Sequence, residues 1–460
     1  MVRRRPLLAG AACALLPLPA AAGEQKTLQL GTRVIEVDGK PATRYRVSQP
    51  SGDWGLALDE GDTFDVRLVN GLSVTSGLHW HGLNPPWRQD GVPYISAPPL
   101  LAGKQAEYKF PAQPTGTRWM HSHFGLQEQD LLAAPLIVRE TSAIKSGLQE
   151  IVVLFEDFTW KNPALVFEEL RKPKPAMTMS MSGVSMGDAR ADLNDVTYDA
   201  FLANDRTLAD PQVFDVDKGA EVRLRLINGA ASTNFMIDLG PLEGTVVTVD
   251  GNPVVPIKVR EFPLAVSQRV DIVLRVPDDG KAVPVLARGE GLTMQTGVIL
   301  RPPGAAIAKV MDVVAMAAPA LTLADELKLS ALQPLPARPV DRSIPVALTG
   351  DMAAYIWGMA VHDQGGAPAI IAKGERIELV MRNATMMAHP MHLHGHSFQV
   401  TEINGRAIAG AVRDTVLVPP RTTVKVAFDA DNPGLWAYHC HNLYHLAAGM
   451  FTTVVYEGFT

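Results

Sequence analysis

Cysteine is almost missing from this 460-residue sequence, which holds only Cys13 and Cys440. Cys13 falls in an N-terminal stretch that reads as a removable leader, so the mature chain keeps one thiol. A lone thiol excludes a fold stapled by disulfides within the chain. Beyond the leader there is no run of the 18 or so apolar residues that a membrane-spanning helix needs, so stable membrane insertion is not expected. An excess of basic residues is missing too, with 42 Lys and Arg against 48 Asp and Glu. Removing residues 1–22 takes away three Arg and no acid, leaving 39 against 48 and a net charge of −9. That balance argues against nucleic acid and anionic membrane surfaces as partners. What remains is an ordinary globular composition, 47% hydrophobic and 20% charged, with length for about three domains.

The leader itself, "MVRRRPLLAGAACALLPLPAAAG", has a basic start, an apolar run and Ala20, Ala21, Ala22, a small-residue pattern that predicts cleavage after Ala22. Arg4 and Arg5 followed by Pro6, Leu7 and Leu8 resemble a twin-arginine signal, the route that exports proteins already folded and metallated. A Sec-type signal is the competing reading, and Cys13 after Gly10, Ala11 and Ala12 makes a poor lipoprotein site. A periplasmic location is expected.

The mature chain repeats itself three times. Gly61, Gly219 and Gly374 are each followed nine residues later by Asn70, Asn228 and Asn383. Alternating Val, Leu and Ile between them mark a strand, and the Asn begins a turn. Nine residues further stand His79, Ile237 and His392, and two beyond those His81, Leu239 and His394, each before a Gly. Phe110, Gly116 and His121 recur at identical spacing as Phe428, Gly434 and His439, with Leu274, Gly280 and Val285 as the middle copy. The first and third copies carry histidines where the middle one is aliphatic. Short strands with Gly, Pro, Asn and Asp turns predict an all-β chain of antiparallel sandwiches or Greek-key barrels. The expected units are 23–145, 146–303 and 304–460. The Pro- and Ala-rich run from about Arg301 to Pro345 leads into the last, and helical pieces are expected near "ALVFEELRK" and "ADELKLSAL".

Histidine is scarce at twelve residues, yet His-x-His occurs at 79/81, 121/123, 392/394, 394/396 and 439/441. Random placement would give roughly 0.3 such pairs. Residues i and i+2 of a strand share a face, so each pair aims two imidazoles at one volume. Imidazoles without interleaved carboxylates favour copper or zinc over magnesium or calcium. The stretch "HCHNLYHLAAGM" decides between those two. Cys440 lies between His439 and His441 and faces away from their shared volume, so it serves a second site. His445 and Met450 follow it and His389 precedes the 392/394 pair. Two His, a thiolate and a distant thioether are the ligands of a blue-copper electron-transfer centre.

"HWHG", "HSH", "HPMHLHGH" and "HCHNLYHLAAGM" together resemble the four copper motifs of the multicopper oxidases, a family that includes laccases, cuprous oxidases and ferroxidases. The resemblance covers essentially the whole mature chain. It implies three consecutive cupredoxin-like Greek-key domains, the middle one without copper, and four coppers per chain. His389, Cys440, His445 and Met450 would hold the type 1 copper, and His79 and His392 the type 2. His81, His121, His123, His394, His439 and His441 would hold the type 3 pair, all eight cluster histidines coming from the first and third domains. The implied reaction is one-electron oxidation of a donor, Cu(I) or a phenolic or aromatic compound, relayed through Cys440 to His439 and His441. Dioxygen is reduced to water by four electrons. A role in periplasmic copper tolerance and a monomeric chain are expected. A laccase acting mainly on organic phenols or amines is the alternative, and a copper-sequestering binding protein the non-enzymatic one.

Some residues sit less firmly in that pattern. Asp90 in "RQDGVP" matches an acid that relatives use in proton supply, while a structural turn role competes. Tyr444 stands where many relatives have Glu, which puts a second proton relay in doubt, since a phenol is a poor donor beside a carboxylic acid. Met450 as axial ligand implies a lower potential than an apolar residue there would give. Met177, Met179, Met181 and Met186 in "PAMTMSMSGVSMGDAR" fit Cu(I) handling or an adaptable surface. His362 and His396 are left over, with surface or supporting roles expected.

Overall fold

A computed structural model describes residues 24–172, 193–361 and 368–459. The leader, the Met177–Met186 segment and His362 lie outside the described residues. The rest is strand-rich, and the alternation seen in the sequence is the alternation of burial. In the strand Thr63–Asn70, Phe64, Val66, Leu68 and Asn70 point inward while their neighbours face outward.

The sheets come in pairs along the chain. Residues 26–139 form two four-stranded sheets, 149–301 one of six and one of five strands, and 342–456 one of seven and one of five. Three separate apolar cores fill these pairs, containing Phe64 and Trp80, Phe155 and Phe235, and Phe428 and Trp436 respectively. Face-to-face sheets around one core each are the sandwich architecture expected.

The repeated Asn explains why the register survives in all three. Asn70 Nδ2 donates to the carbonyls of Val74 and Leu100, and its Oδ1 accepts from the Leu72 amide. Asn228 makes the same three bonds to Thr233, Leu264 and Ala230, and Asn383 to Met387, Val418 and Thr385. Each Asn is fully buried, so it saturates backbone groups that a crossing loop would otherwise leave unpaired.

One helical expectation is met and one corrected. Pro163–Leu170 is an α-helix, capped by the Asn162 side chain on the Ala164 amide with Pro at the first turn. The other stretch yields only the three-residue 3-10 turn Glu326–Lys328. The rest of that run is tied down by long-range contacts instead, an isolated bridge of Ala331 to Val254 and the pairing of buried Glu326 with Arg413. Tertiary pairing overrides a modest helical preference there.

Candidate metal centre

Two strand pairs, far apart in sequence, carry the histidines. Leu78–His81 runs antiparallel to Gly116–Ser122 with His79 opposite His121. His389–Leu393 runs antiparallel to Leu435–Cys440 with His392 opposite His439. The two pairs face each other, giving three groups of convergent ring nitrogens: His79, His81 and His392; His81, His121 and His441; His123, His394 and His439. Within each group the ligand atoms lie within 4.8 Å of one another. The structure thus brings together all eight histidines predicted for the cluster, half from each end of the chain.

Hydrogen bonds at one nitrogen of six of these rings define what the other can do. His79 Nδ1 lies 3.0 Å from the Asp90 carbonyl and His392 Nδ1 2.8 Å from the Asp414 carbonyl. A carbonyl only accepts, so both Nδ1 atoms carry the proton and both Nε2 atoms keep a bare lone pair. Those two Nε2 atoms are buried without a protein partner. His439 Nδ1 donates to the Cys440 carbonyl at 2.9 Å and His394 Nδ1 to Asp90 Oδ2 at 2.9 Å. Their Nε2 atoms nevertheless face each other at 3.0 Å, with His123 Nε2 3.3 Å from that of His439. His121 Nδ1 lies 2.7 Å from Glu128 Oε2, which turns its Nε2 to within 3.3 Å of His441 Nε2. His81 is reversed: its Nε2 lies 3.1 Å from Asp414 Oδ1 and its Nδ1 has no protein partner.

Converging lone pairs repel unless a cation lies among them. Protons do not serve, because burial first and neighbouring imidazoles second push His81, His121, His123, His392, His394 and His441 well below the usual histidine range. A set of neutral nitrogens fixed by outer hydrogen bonds is what a borderline metal such as copper requires.

The second group is smaller. Cys440 Sγ lies 3.7 Å from both His389 Nδ1 and His445 Nδ1, which are 3.1 Å apart. Both Nε2 atoms point outward, to Thr385 Oγ1 and to Asp195 Oδ2, each at 2.8 Å. His445 reaches the site because Asn442 caps the short helix Leu443–Ala447, accepting from the Tyr444 and His445 amides. Trp357 covers His445, with ring centroids 4.1 Å apart. Met450 is buried beside them; its carbonyl accepts from the Cys440 amide and its amide donates to His445. Burial pushes the Cys440 thiol upward from its usual range, so the thiolate forms when a metal displaces the proton.

The residues of uncertain role also find places. Asp90 closes the 3-10 turn Trp87–Gln89 and its carboxylate still reaches His394, so the turn and site roles coincide. Tyr444 donates to Gln129 Oε1 at 3.0 Å. His396 is buried rather than on the surface; its Nδ1 donates to the His394 carbonyl (3.0 Å), its Nε2 accepts from the Tyr456 hydroxyl (2.6 Å), and burial pushes it down to about 4.

Sequence reasoning missed three acids: Glu128 at His121, Asp195 at His445 and Asp414 at His81. Glu128 lies five residues after His123, a proximity that gave a usable signal. Asp195 and Asp414 come from elements remote in sequence and had none. Asp414 is held by Arg269, whose Nη1 donates at 2.7 Å and whose Nη2 donates to the other oxygen, with Arg118 3.6 Å away. Gly82 of "HWHG" passes over this pair; a Cβ there would sit 2.7 Å from Arg269 and 2.9 Å from Asp414.

Sequence profiles described as Multicopper oxidase match residues 54–143, 149–297 and 337–458. Multicopper oxidase MmcO of Mycobacterium tuberculosis is 31% identical over 86% of this chain and 80% of its own length. The chain belongs to the multicopper oxidase family. Like its relatives, this multicopper oxidase is a copper-dependent oxidoreductase that uses dioxygen and an electron donor. Copper resistance protein A of Escherichia coli is 27% identical, covering 96% of this chain and 94% of that protein. The crystal structure of Fet3p, a multicopper oxidase that functions in iron import, shares the fold with a TM-score of 0.77 at 20% identity, over 94% of this chain and 90% of that one. Among the described residues no helix is long and apolar enough to cross a membrane.

Proposed function

We propose that this multicopper oxidase binds four coppers in the sets seen above, takes single electrons from a donor beside His445, and reduces dioxygen to water at the histidine cluster. Copper, when bound, supplies the one-electron oxidation of donor and the four-electron reduction of dioxygen. His389, Cys440, His445 and Met450 would hold one ion, and His79 with His392 another. His81, His121 and His441 would hold a third, and His123, His394 and His439 a fourth.

The observation that carries this reading is the position of Cys440. Its side chain completes the two-histidine triangle while its peptide neighbours, His439 and His441, belong to the cluster. One short stretch of backbone is therefore the covalent bridge between donor and dioxygen sites. Carboxyl groups line the cluster for proton supply: Asp90 Oδ2 at His394 and Glu128 Oε2 at His121. Burial raises Glu128 well above the usual carboxyl range, so it holds a proton where Tyr444 offers only a phenol. This gives Glu128 the second relay role.

On the donor side, Asp195 Oδ2 orients His445 while Oδ1 is unpartnered. A cleft of about 260 Å³ lined by Lys161, Val166, Glu169, Leu170, Asp195 and Val196 adjoins it. An acidic, half-apolar cleft suits Cu(I) or a small aromatic donor. Similarity to Copper resistance protein A favours a cuprous, periplasmic copper-tolerance role, with three units bounded near residues 145 and 303 in a monomeric chain. In the test, Cys440→Ser loses the intense blue absorption and donor oxidation while cluster copper is retained. A blue, active variant would overturn the reading.

A further inference from the structure

Glu156 has no part in the chemistry above, yet its position is hard to account for by packing. It lies in the strand Gln149–Phe158 opposite Leu202, 1% exposed, and neither carboxyl oxygen has a protein hydrogen-bond partner. Its surroundings are an apolar seam of Ile35, Val37, Leu131, Phe158, Ala200 and Leu202, where the first and second sheet pairs meet. An unpaired polar group there costs stability that Leu at this position would not.

The charged groups that act on Glu156 fall into two sets, one at a surface basin and one toward the cluster. On the outer side is Asp205, paired with Arg33 through Nε at 2.6 Å and through a second, shorter contact. Both line a surface basin of about 500 Å³. On the inner side are the adjacent Asp157 and, within electrostatic reach, Glu128 against His121. The loop 128–131 ties the two ends together. Leu131 donates through its amide to the Glu128 carbonyl (2.9 Å) and accepts at its own carbonyl from Arg33 (3.4 Å). Asp157 is spent as an anchor, since its carboxylate accepts from the amides of Ala231, Ser232 and Thr233 and from the Thr233 hydroxyl. Glu156 is the carboxyl in the seam left free to exchange a proton.

We propose that Glu156 is the proton-holding station of an inlet that runs along this seam, from the Arg33–Asp205 basin to the Glu128 wall of the cluster. Reduction of one dioxygen to two waters consumes four electrons, given by the donor, and four protons, drawn from solvent. In each passage a Glu156 oxygen gives its proton inward and regains one from the basin, so the carboxyl ends as it began. This inlet rests on the oxidase reading, but the first arm of its test does not. In the metal-free protein, infrared difference spectra between wild type and Glu156→Gln isolate the C=O stretch of a protonated, weakly bonded carboxyl. Its shift on transfer to D2O is expected to outpace exchange of the amides of Gln149–Phe158. No such band, or a band that exchanges no faster than those amides, overturns the inlet whatever the copper content.

In the copper-loaded protein, Glu156→Gln should lower turnover about 10-fold or more and raise the solvent isotope effect. The donor KM and the rate of anaerobic bleaching of the blue absorption should stay unchanged, and Glu156→Asp should recover part of the loss. Wild-type turnover and isotope effect in Glu156→Gln would also overturn it. Failure of the oxidase reading would show differently, as absence of oxygen uptake by loaded wild-type protein.

Discussion

Replacing Asp414 by Ala tests the claim that the cluster is held from beneath by a part of the chain with no predicted metal ligands. The Asp414 carboxylate accepts from two nitrogens of Arg269, from His81 Nε2 at 3.1 Å and from Thr415 Oγ1 at 3.0 Å, with Arg118 3.6 Å away. Arg269 and Arg118 are fully buried. Truncation leaves two buried cations with only the longer Arg269–Asp250 contact of 3.8 Å to compensate them, and breaking a buried pair in this way costs about 3–5 kcal/mol. That is a large share of the roughly 5–15 kcal/mol that holds a domain together. Urea unfolding of the metal-free protein, followed by tryptophan fluorescence, should show this loss. A second substitution, Arg269→Met, removes one stranded charge, so the double variant should be less destabilised than Asp414→Ala alone. The same truncation frees the His81 ring to turn, so copper binding by the set containing His81 should weaken by about 10- to 100-fold. A loss below about 1 kcal/mol with full copper content would refute the reasoning.

Two further outcomes follow from the thiolate site. Because burial raises the Cys440 thiol and pushes His389 well below the usual histidine range, metal binding there displaces the thiol proton. At pH values below the raised thiol value, affinity should therefore climb about tenfold per pH unit as pH rises from about 6.5 to 8. Titration with Co(II), read by its thiolate charge-transfer absorption, checks this, and a flat profile would contradict it. Asp195→Asn removes the carboxylate that His445 Nε2 and the Tyr355 hydroxyl share. Anaerobic donor oxidation should slow about tenfold while reoxidation of the reduced protein by dioxygen keeps its rate; equal slowing of both would assign Asp195 a merely structural part.

Much of this was legible because two periodicities coincide in the sequence. The period-2 placement of His79 and His81, or His439 and His441, states that they share a face, and the threefold Gly and Asn spacing states where each strand ends. Together with the resemblance to the multicopper oxidase copper motifs, they place eight imidazoles at one interface before any contact is known. Cys440 was readable for the same reason, since the residue between two that face inward must face out. The acids were less readable. Asp414 and Asp195 act across 333 and 250 residues of separation from His81 and His445, and nothing local marks a carboxylate that will meet a ring from another sheet. The stretch around Glu326 misled for a related reason, its helical composition being overruled by the bridge of Ala331 to Val254 and the Glu326–Arg413 pair, which periodicity alone cannot see.

The middle sheets carry no imidazole, yet their retention has a physical cause in how charge is distributed around the cluster. Copper ions bound by neutral imidazoles would bury several positive charges, and the carboxylates near them are not equivalent answers to that problem. Asp414 is already neutralised by Arg269, which is also engaged by Asp250. Its charge is largely spent, and its contribution is to fix the His81 tautomer and orientation. Asp90 contacts only His79 and His394 among the described ion pairs, so its charge remains available to compensate the metal. On that division, Asp414→Asn should be tolerated in charge but not in geometry, while Asp90→Asn should keep the geometry and lose the compensation. The middle sheets then serve to pin one carboxylate by supplying Arg269 and Asp250, leaving the cluster's charge balance to the loop after "HWHG".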